Sequence, residues 1–321
     1  MLIRPRRNRT SAGIRALVRE TIVTTADLVL PLFVHHDEAD APIAAMPGCA
    51  RQSIIRTVAT ARLAYDLGIP AVALFPALTS AEKSPTARES VNPEGLLPRC
   101  VRALKIAVPE LVVITDVAMD PYSTDGHDGL VRDGQIVNDD TLSILAAMAV
   151  TQAQAGADIV APSDMMDGRV RAIREALDTA GYTQVGILSY CAKYASAFYG
   201  PFREALDSAP RFGDKKTYQM DPANVREALR EVALDEGEGA DFLMVKPGLP
   251  YLDVIRAVRQ ATHLPIAAYH VSGEFAMLKA AAEKGWIDYD RCLLETLTSF
   301  KRAGCNLIFT YAAIDAARLL R

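Results

Sequence analysis

Eight short aliphatic or β-branched runs, each set apart from the next by a longer stretch, constrain this chain more than any other feature. Strands are predicted at Leu28–Val34, Ala71–Phe75, Leu111–Asp116 and Ile159–Ala161, then at Val185–Ser189, Phe242–Val245, Ile266–Tyr269 and Leu307–Thr310. Each run is a few residues long and bounded by Gly, Pro, Asp or Ser, as strands buried on both faces of a parallel sheet are. Between them lie helical periodicities such as Ile144–Ala155, Val170–Ala180, Asn224–Glu236 and Glu274–Lys284. Eight strands alternating with helices predict an α/β fold, a closed (β/α)8 TIM barrel over residues 27–321. An open doubly wound sheet is the alternative, but no GxGxxG follows the first strand.

Composition narrows the function classes. The chain has 321 residues, long for one domain but ordinary for such a barrel, and it can bury a large core without disulfide or metal staples. A net charge of −4 and a pI near 5.8 argue against a nucleic-acid-binding protein. Five scattered cysteines with no CxxC pair read as reduced thiols. No apolar run is long enough to span a membrane, and Met1-Leu2-Ile3-Arg4-Pro5 has no signal-peptide character, so a cytoplasmic address is expected. Residues 1–26 stand outside the barrel rhythm as an N-terminal extended arm carrying Arg4, Arg6, Arg7, Arg9, Arg15 and Arg19. A solvated arm and an oligomer contact both fit that pattern.

A barrel presents its chemistry at the C-terminal ends of its strands, so polar residues there are the candidates for function. The third run ends in Asp116, and its loop carries Asp120, Asp125 and Asp128; the fourth is followed by Ser163 and Asp164. The fifth leads into Lys193, the sixth into Lys246, the seventh into His270 and Ser272, and the eighth into Tyr311. Lys246 directly follows four apolar residues, where loss of water disfavours the ammonium and leaves an amine able to attack a carbonyl. Lys193 on the adjacent strand adds a second cation that pushes the same way. Snorkelling or salt-bridged lysines are the bland alternative.

The remaining candidates each admit two readings. Ser189 to Tyr218 is a long connection rich in Tyr, Phe, Gly and Pro, either a lid or a plain crossing loop. Within it, Arg203 and the pair Lys215-Lys216 either hold a carboxylate or solvate the loop. Ser272 and Tyr311 either bind a second carboxylate or satisfy backbone groups, and His35-His36 is a polar loop. The Asp120 to Asp128 cluster suits a hard cation, a substrate ammonium or Asx turns. Glu231, with Asp235 one turn later, has the spacing of a solvated helix face.

Several long motifs together resemble porphobilinogen synthase, the 5-aminolevulinate dehydratase family, over essentially the whole chain. They are Arg4-Pro5-Arg6-Arg7, Met46-Pro47-Gly48, the run from Ala161 to Val170 (APSDMMDGRV), the run from Lys193 to Arg203 (KYASAFYGPFR), the run from Tyr218 to Asn224 (YQMDPAN), Met244-Val245-Lys246-Pro247, and Val271-Ser272-Gly273-Glu274. The resemblance implies a lyase that joins two molecules of 5-aminolevulinate into porphobilinogen on the path to haem. It implies that Lys193 and Lys246 form Schiff bases, and that Arg203, Lys215 and Gln219 hold one substrate carboxylate. Ser272 and Tyr311 would hold the other, Asp116 and Ser163 would line the pocket, and Phe202 would belong to its flap.

The chain also departs from part of that family. Where the zinc-dependent branch carries three cysteines, this chain has Ala118, Asp120 and Asp128, so no active-site zinc is expected. The loop resembles the aspartate-rich, magnesium-responsive branch instead, in which Glu231 would be the ligand of an allosteric magnesium. Phe275 stands where tyrosine is common. The family implies a homo-oligomer, commonly an octamer with arms wrapped around neighbours. Another Schiff-base barrel enzyme, such as a class I aldolase, and a non-catalytic oligomeric scaffold are the rival readings.

Overall fold

In the computed structural model, which describes residues 1–206 and 208–321, all eight predicted runs are strands. They are β1 (Leu28–Val34), β2 (Ala71–Pro76), β3 (Val112–Val117), β4 (Ile159–Pro162), β5 (Gly186–Lys193), β6 (Phe242–Lys246), β7 (Ile266–His270) and β8 (Leu307–Thr310). Neighbours in this order pair in parallel, and β8 pairs back onto β1 through Leu28↔Ile308 and Val29↔Phe309. The strands' own composition fits this closure. Every residue of β1 and β2 is buried, so both strand faces need apolar partners. A barrel supplies them, with packed side chains inside and a ring of helices outside. Each fully buried Leu, Val or Ile contributes about 1.5–3 kcal/mol.

The helices carry their own start and stop signals. Helix Tyr289–Ala303 starts at Asp288, whose carboxylate accepts a hydrogen bond from the Arg291 backbone N–H at 3.0 Å. It buries Leu293, Leu297 and Phe300 along one face and stops at Gly304, where φ is 128°. A β-carbon at Gly304 would also lie 2.6 Å from Arg259 Cγ.

Three sequence expectations change. β5 continues to Lys193, four residues past the predicted end, because the polarity of Ser189 faces a buried ion pair and does not mark a strand terminus. The two lysines are therefore the last residues of their strands. The arm is not extended throughout: a 3-10 turn at Pro5–Arg9 and a short helix at Ala12–Leu17, capped by Ser11, bury nothing. The arm's junction with the barrel is pinned by Lys301 on Asp27 at 2.8 Å. Finally, a small hairpin of Ala41–Pro42 and Ala50–Gln52 joins the C-terminal end of β1 through Phe33↔Arg51, a feature no apolar period announced.

Candidate active site

Lys193 and Lys246 are direct neighbours across β5 and β6 and both face the barrel interior. Lys246 is buried, and among the described residues its Nζ has no hydrogen-bond or ion-pair partner. Instead it sits among four rings, 4.5 Å from the centroid of Tyr269, 4.8 Å from Phe202, 5.2 Å from Tyr190 and 5.4 Å from Tyr199. Aromatic faces favour an ammonium. Burial, together with the nearby Lys193 charge, works against it and prevails over the weaker pull of Asp116, Asp120 and Asp128. The Lys246 amine is thereby pushed down to about 7.

Lys193 is placed differently. Its Nζ contacts Asp128 at 3.0 Å and donates to the Ser163 carbonyl. Asp128 is fully buried and also bonds Lys215 at 2.6 Å, while Asp120 reaches Lys215 at 3.3 Å. Burial would raise the Asp128 carboxyl, but the two ammoniums outweigh it and hold the group at about 2. Asp116, on β3, goes the other way: burial and the Asp120 charge push it up to about 7. Ser163 follows β4, in a loop where the Asp164 carboxylate accepts from the Met166 N–H and Met165 is held at φ 67°. That loop sets the Ser163 carbonyl against Lys193.

The connection after β5 folds over this pair as a flap. Helix Gly200–Leu206 carries Phe202, whose ring meets Phe75 edge-on at 5.5 Å and Phe33 at 5.8 Å. The Phe202 N–H donates to Ser272 Oγ at 3.0 Å, and the Tyr199 hydroxyl to the Lys246 carbonyl at 3.0 Å. Arg51 of the hairpin donates to the carbonyls of Ala205 and Glu204 at 2.6 and 2.7 Å, tying down the flap helix's C-terminus. Beneath the flap lies a cavity of ≈ 20 Å³ lined by Asp120, Lys193, Phe202, Arg203, Lys215, Gln219 and Lys246 among others. That is room for about one water, far short of a keto acid, so a substrate of that size enters only when the flap moves.

Of the sequence-predicted residues, Lys193, Lys246, Asp120, Phe202, Arg203, Lys215 and Gln219 line that cavity together. Among the described residues the Arg203 guanidinium makes no hydrogen bond or ion pair and the buried Gln219 Oε1 is unbonded, so both face the cavity as groups able to meet a ligand. Ser163 meets Lys193 through its carbonyl, and Asp116 hydrogen-bonds with Ser163 within the field of both lysines. Tyr311 stacks on Phe33 at 5.7 Å and shares a hydrogen bond with the Tyr269 hydroxyl at 3.1 Å. Phe275 packs on Tyr311, 6.0 Å between centroids. Lys216 is turned to solvent and pairs with Asp214.

One expectation outside the pocket needs correction. His35 and His36 do lie in the loop after β1, with His35 buried and His36 exposed. Asp235, however, is no solvated helix residue: it is buried and forms a bidentate pair with Arg169, at 2.7 and 3.1 Å. Sequence reasoning missed Arg169, Asp235, Arg51 and the aromatic wall of Tyr190, Tyr199 and Tyr269. The wall had a signal, since tyrosine is placed on two otherwise aliphatic strands; the ion pair had none, because its partners are 66 residues apart.

Glu231 lines a different and larger cavity, ≈ 810 Å³, together with Asp167, Glu227 and Met166. Burial, helped by the like charges of Asp235, Asp167 and Glu227, pushes its carboxyl up to about 7 against the pull of Arg169. Among the described residues no three His, Cys, Asp or Glu side chains converge as a ready metal cage. Hard oxygen donors at Glu231 suit a largely hydrated magnesium, which keeps several waters and needs one or two carboxylates. At the lysine pocket the donor set does not suit zinc: Ala118 offers no ligand, and ammonium groups already bond Asp120 and Asp128.

Comparison with known proteins gives a consistent result. The family described as Delta-aminolevulinic acid dehydratase matches residues 2–319. The chain is 60% identical over 325 residues to a chloroplastic delta-aminolevulinic acid dehydratase of Physcomitrium patens, spanning 100% of this chain and 74% of that one. It is 58% identical over 322 residues to the chloroplastic protein of Glycine max, spanning 99% and 77%. A crystal structure of the Toxoplasma gondii ME49 enzyme in complex with the reaction product porphobilinogen superposes with a TM-score of 0.98 at 55% identity, covering 99% of this chain and 91% of the other. These relatives overturn the cytoplasmic address expected from the sequence, because the plant proteins are named chloroplastic. Charge balance and reduced thiols describe a folded body, whereas addresses are read by receptors from separate signals. No helix among the described residues is long and apolar enough to cross a membrane.

Proposed function

The chain belongs to the delta-aminolevulinic acid dehydratase family and condenses two molecules of 5-aminolevulinate into porphobilinogen with loss of two waters; we propose that it does so through Schiff bases on Lys193 and Lys246. The observation that carries this mechanism is Lys246, a buried amine held near 7 beside a second lysine in the same closed pocket. A neutral amine adds to the substrate ketone, and loss of water gives an imine; protonated, it makes the adjacent carbon acidic. Asp116, pushed up to about 7, is able both to give and to take a proton near neutral pH.

Lys193, in contact with Asp128, would hold the second ketone as the electrophile. One new C–C bond and one new C–N bond join the substrates; each ketone oxygen leaves as water, and both lysines are released. Holding both substrates in one pocket turns a bimolecular condensation into a step within a single complex. Arg203 and Gln219, with Lys215 beside them, would bind one carboxylate; Ser272 and Tyr311 would bind the other. Glu231 would hold a magnesium away from the chemistry that favours one subunit arrangement, and residues 1–26 would embrace a neighbour in an octamer.

Borohydride reduction in the presence of 5-aminolevulinate, followed by peptide mass analysis, tests the mechanism. Adducts are expected on Lys246 and Lys193. Lys246→Arg is expected to fold and lose turnover, since a guanidinium stays protonated and cannot form the imine. Substantial turnover by that variant would overturn the mechanism.

A further inference from the structure

Lys193 faces Lys246 only because β5 contains one residue more than its partner strand. Between Leu243↔Ser189 and Val245↔Ala192, β5 advances three residues while β6 advances two. Side-chain directions show the same irregularity. Tyr190 points inward, with Lys246 Nζ over its ring, and Lys193 points inward to Asp128. Those residues are three apart, and an unbroken strand would send them to opposite faces. In the earlier register Lys193 would lie across from position 247, with its ammonium aimed at the helix layer. The extra residue is a bulge, a device that re-aims side chains next to active sites.

The bulge is held from outside the barrel by one guanidinium. Arg169, at the start of helix Arg169–Thr179, donates to Ser189 Oγ at 2.9 Å and to the Tyr190 carbonyl at 3.3 Å. Asp235, on helix Arg226–Gly237, fixes that guanidinium through both carboxylate oxygens and accepts from the Ser189 hydroxyl at 2.5 Å. Both charged residues are buried. We propose that the Arg169–Asp235 pair is a positioning element for the reaction: it clamps the β5 bulge, which keeps Lys193 on the barrel interior and beside Lys246.

The proposal rests on the two-lysine mechanism and is tested separately from it. Arg169→Lys keeps the charge on Asp235, but a single ammonium cannot reproduce the fork that reaches Asp235, Ser189 and Tyr190 together. Borohydride trapping of 5-aminolevulinate on Arg169→Lys at about pH 9.5, above the acidic limb of Lys246, is expected to leave the Lys246 adduct at its wild-type level and to cut the Lys193 adduct at least tenfold. Turnover is expected to fall on the order of 100-fold, as for a reacting group displaced by about 1 Å. Should that variant not fold, the double variant Arg169→Met/Asp235→Leu leaves no unpaired buried charge and carries the same expectation. Wild-type levels of both adducts in a folded variant would overturn the clamp. No adduct on either lysine of the wild-type enzyme would overturn the two-lysine mechanism instead.

Discussion

The pH dependence of imine formation at Lys246 follows from its burial. An exposed lysine with a pKa near 10.5 is neutral in only about 0.03% of molecules at pH 7, whereas one at about 7 is neutral in about half, a gain on the order of 10³ in nucleophile. The rate of single-substrate trapping on Lys246 is therefore expected to rise through an acidic limb centred near pH 7 and to level off above about pH 8. The assay is pseudo-first-order borohydride trapping across pH 5.5–9.5 (roughly the window about this limb), scored on the peptide that carries Lys246. Lys193→Met separates the two causes of the shift. It removes a like charge, so the limb should move up by about one unit, or about 1.4 kcal/mol. Burial, the larger cause, remains, so the limb should stay well below 10. Asp128 keeps Lys215 as partner at 2.6 Å, so the variant does not orphan a buried carboxylate. A wild-type limb at pH 9 or above, or a downward move in Lys193→Met, would refute the reasoning.

Other perturbations reach different parts of the molecule. Stability should rise with pH between about 7 and 10.5 relative to Lys246→Met, by up to ~5 kcal/mol at about 1.4 kcal/mol per unit. In that window the unfolded chain binds the proton that the folded site refuses, and urea denaturation at several pH values reads the difference. Gly273→Ala places a β-carbon 2.5 Å from the Phe198 carbonyl oxygen, so the flap must shift, costing about 1–3 kcal/mol and raising KM in steady-state assays. Deletion of residues 1–26 should shrink the particle in light scattering while circular dichroism still reports a folded barrel. Chelation should remove any magnesium stimulation but leave borohydride adducts on both lysines, and Glu231→Ala should behave like the chelated enzyme; activity restored by zinc alone would contradict this.

What a single sequence shows depends on whether a feature is periodic. The eight strands were legible because apolar runs repeat at a spacing that only a few folds accept, and β1 and β8 fall at their predicted bounds. Lys193 and Lys246 were legible for a related reason: a long cation at the end of an aliphatic run breaks a pattern. Asp235 was not. Its spacing from Glu231 is that of a solvated helix face, and only the packing of helix Arg226–Gly237 on β5 brings it to Arg169. The bulge was illegible in a stricter sense. Its mark is the odd interval between Tyr190 and Lys193, and an odd interval carries meaning only when both side chains are known to face one way. Mistaking Ser189 for the end of its strand concealed the interval altogether, because residues in a loop have no face to compare. A rule follows for barrels of this kind. Where two candidate residues on adjacent strands must meet, and one strand cannot bring its member round in regular alternation, an extra residue is required. The groups that hold it are to be sought among the buried charges of the surrounding helices.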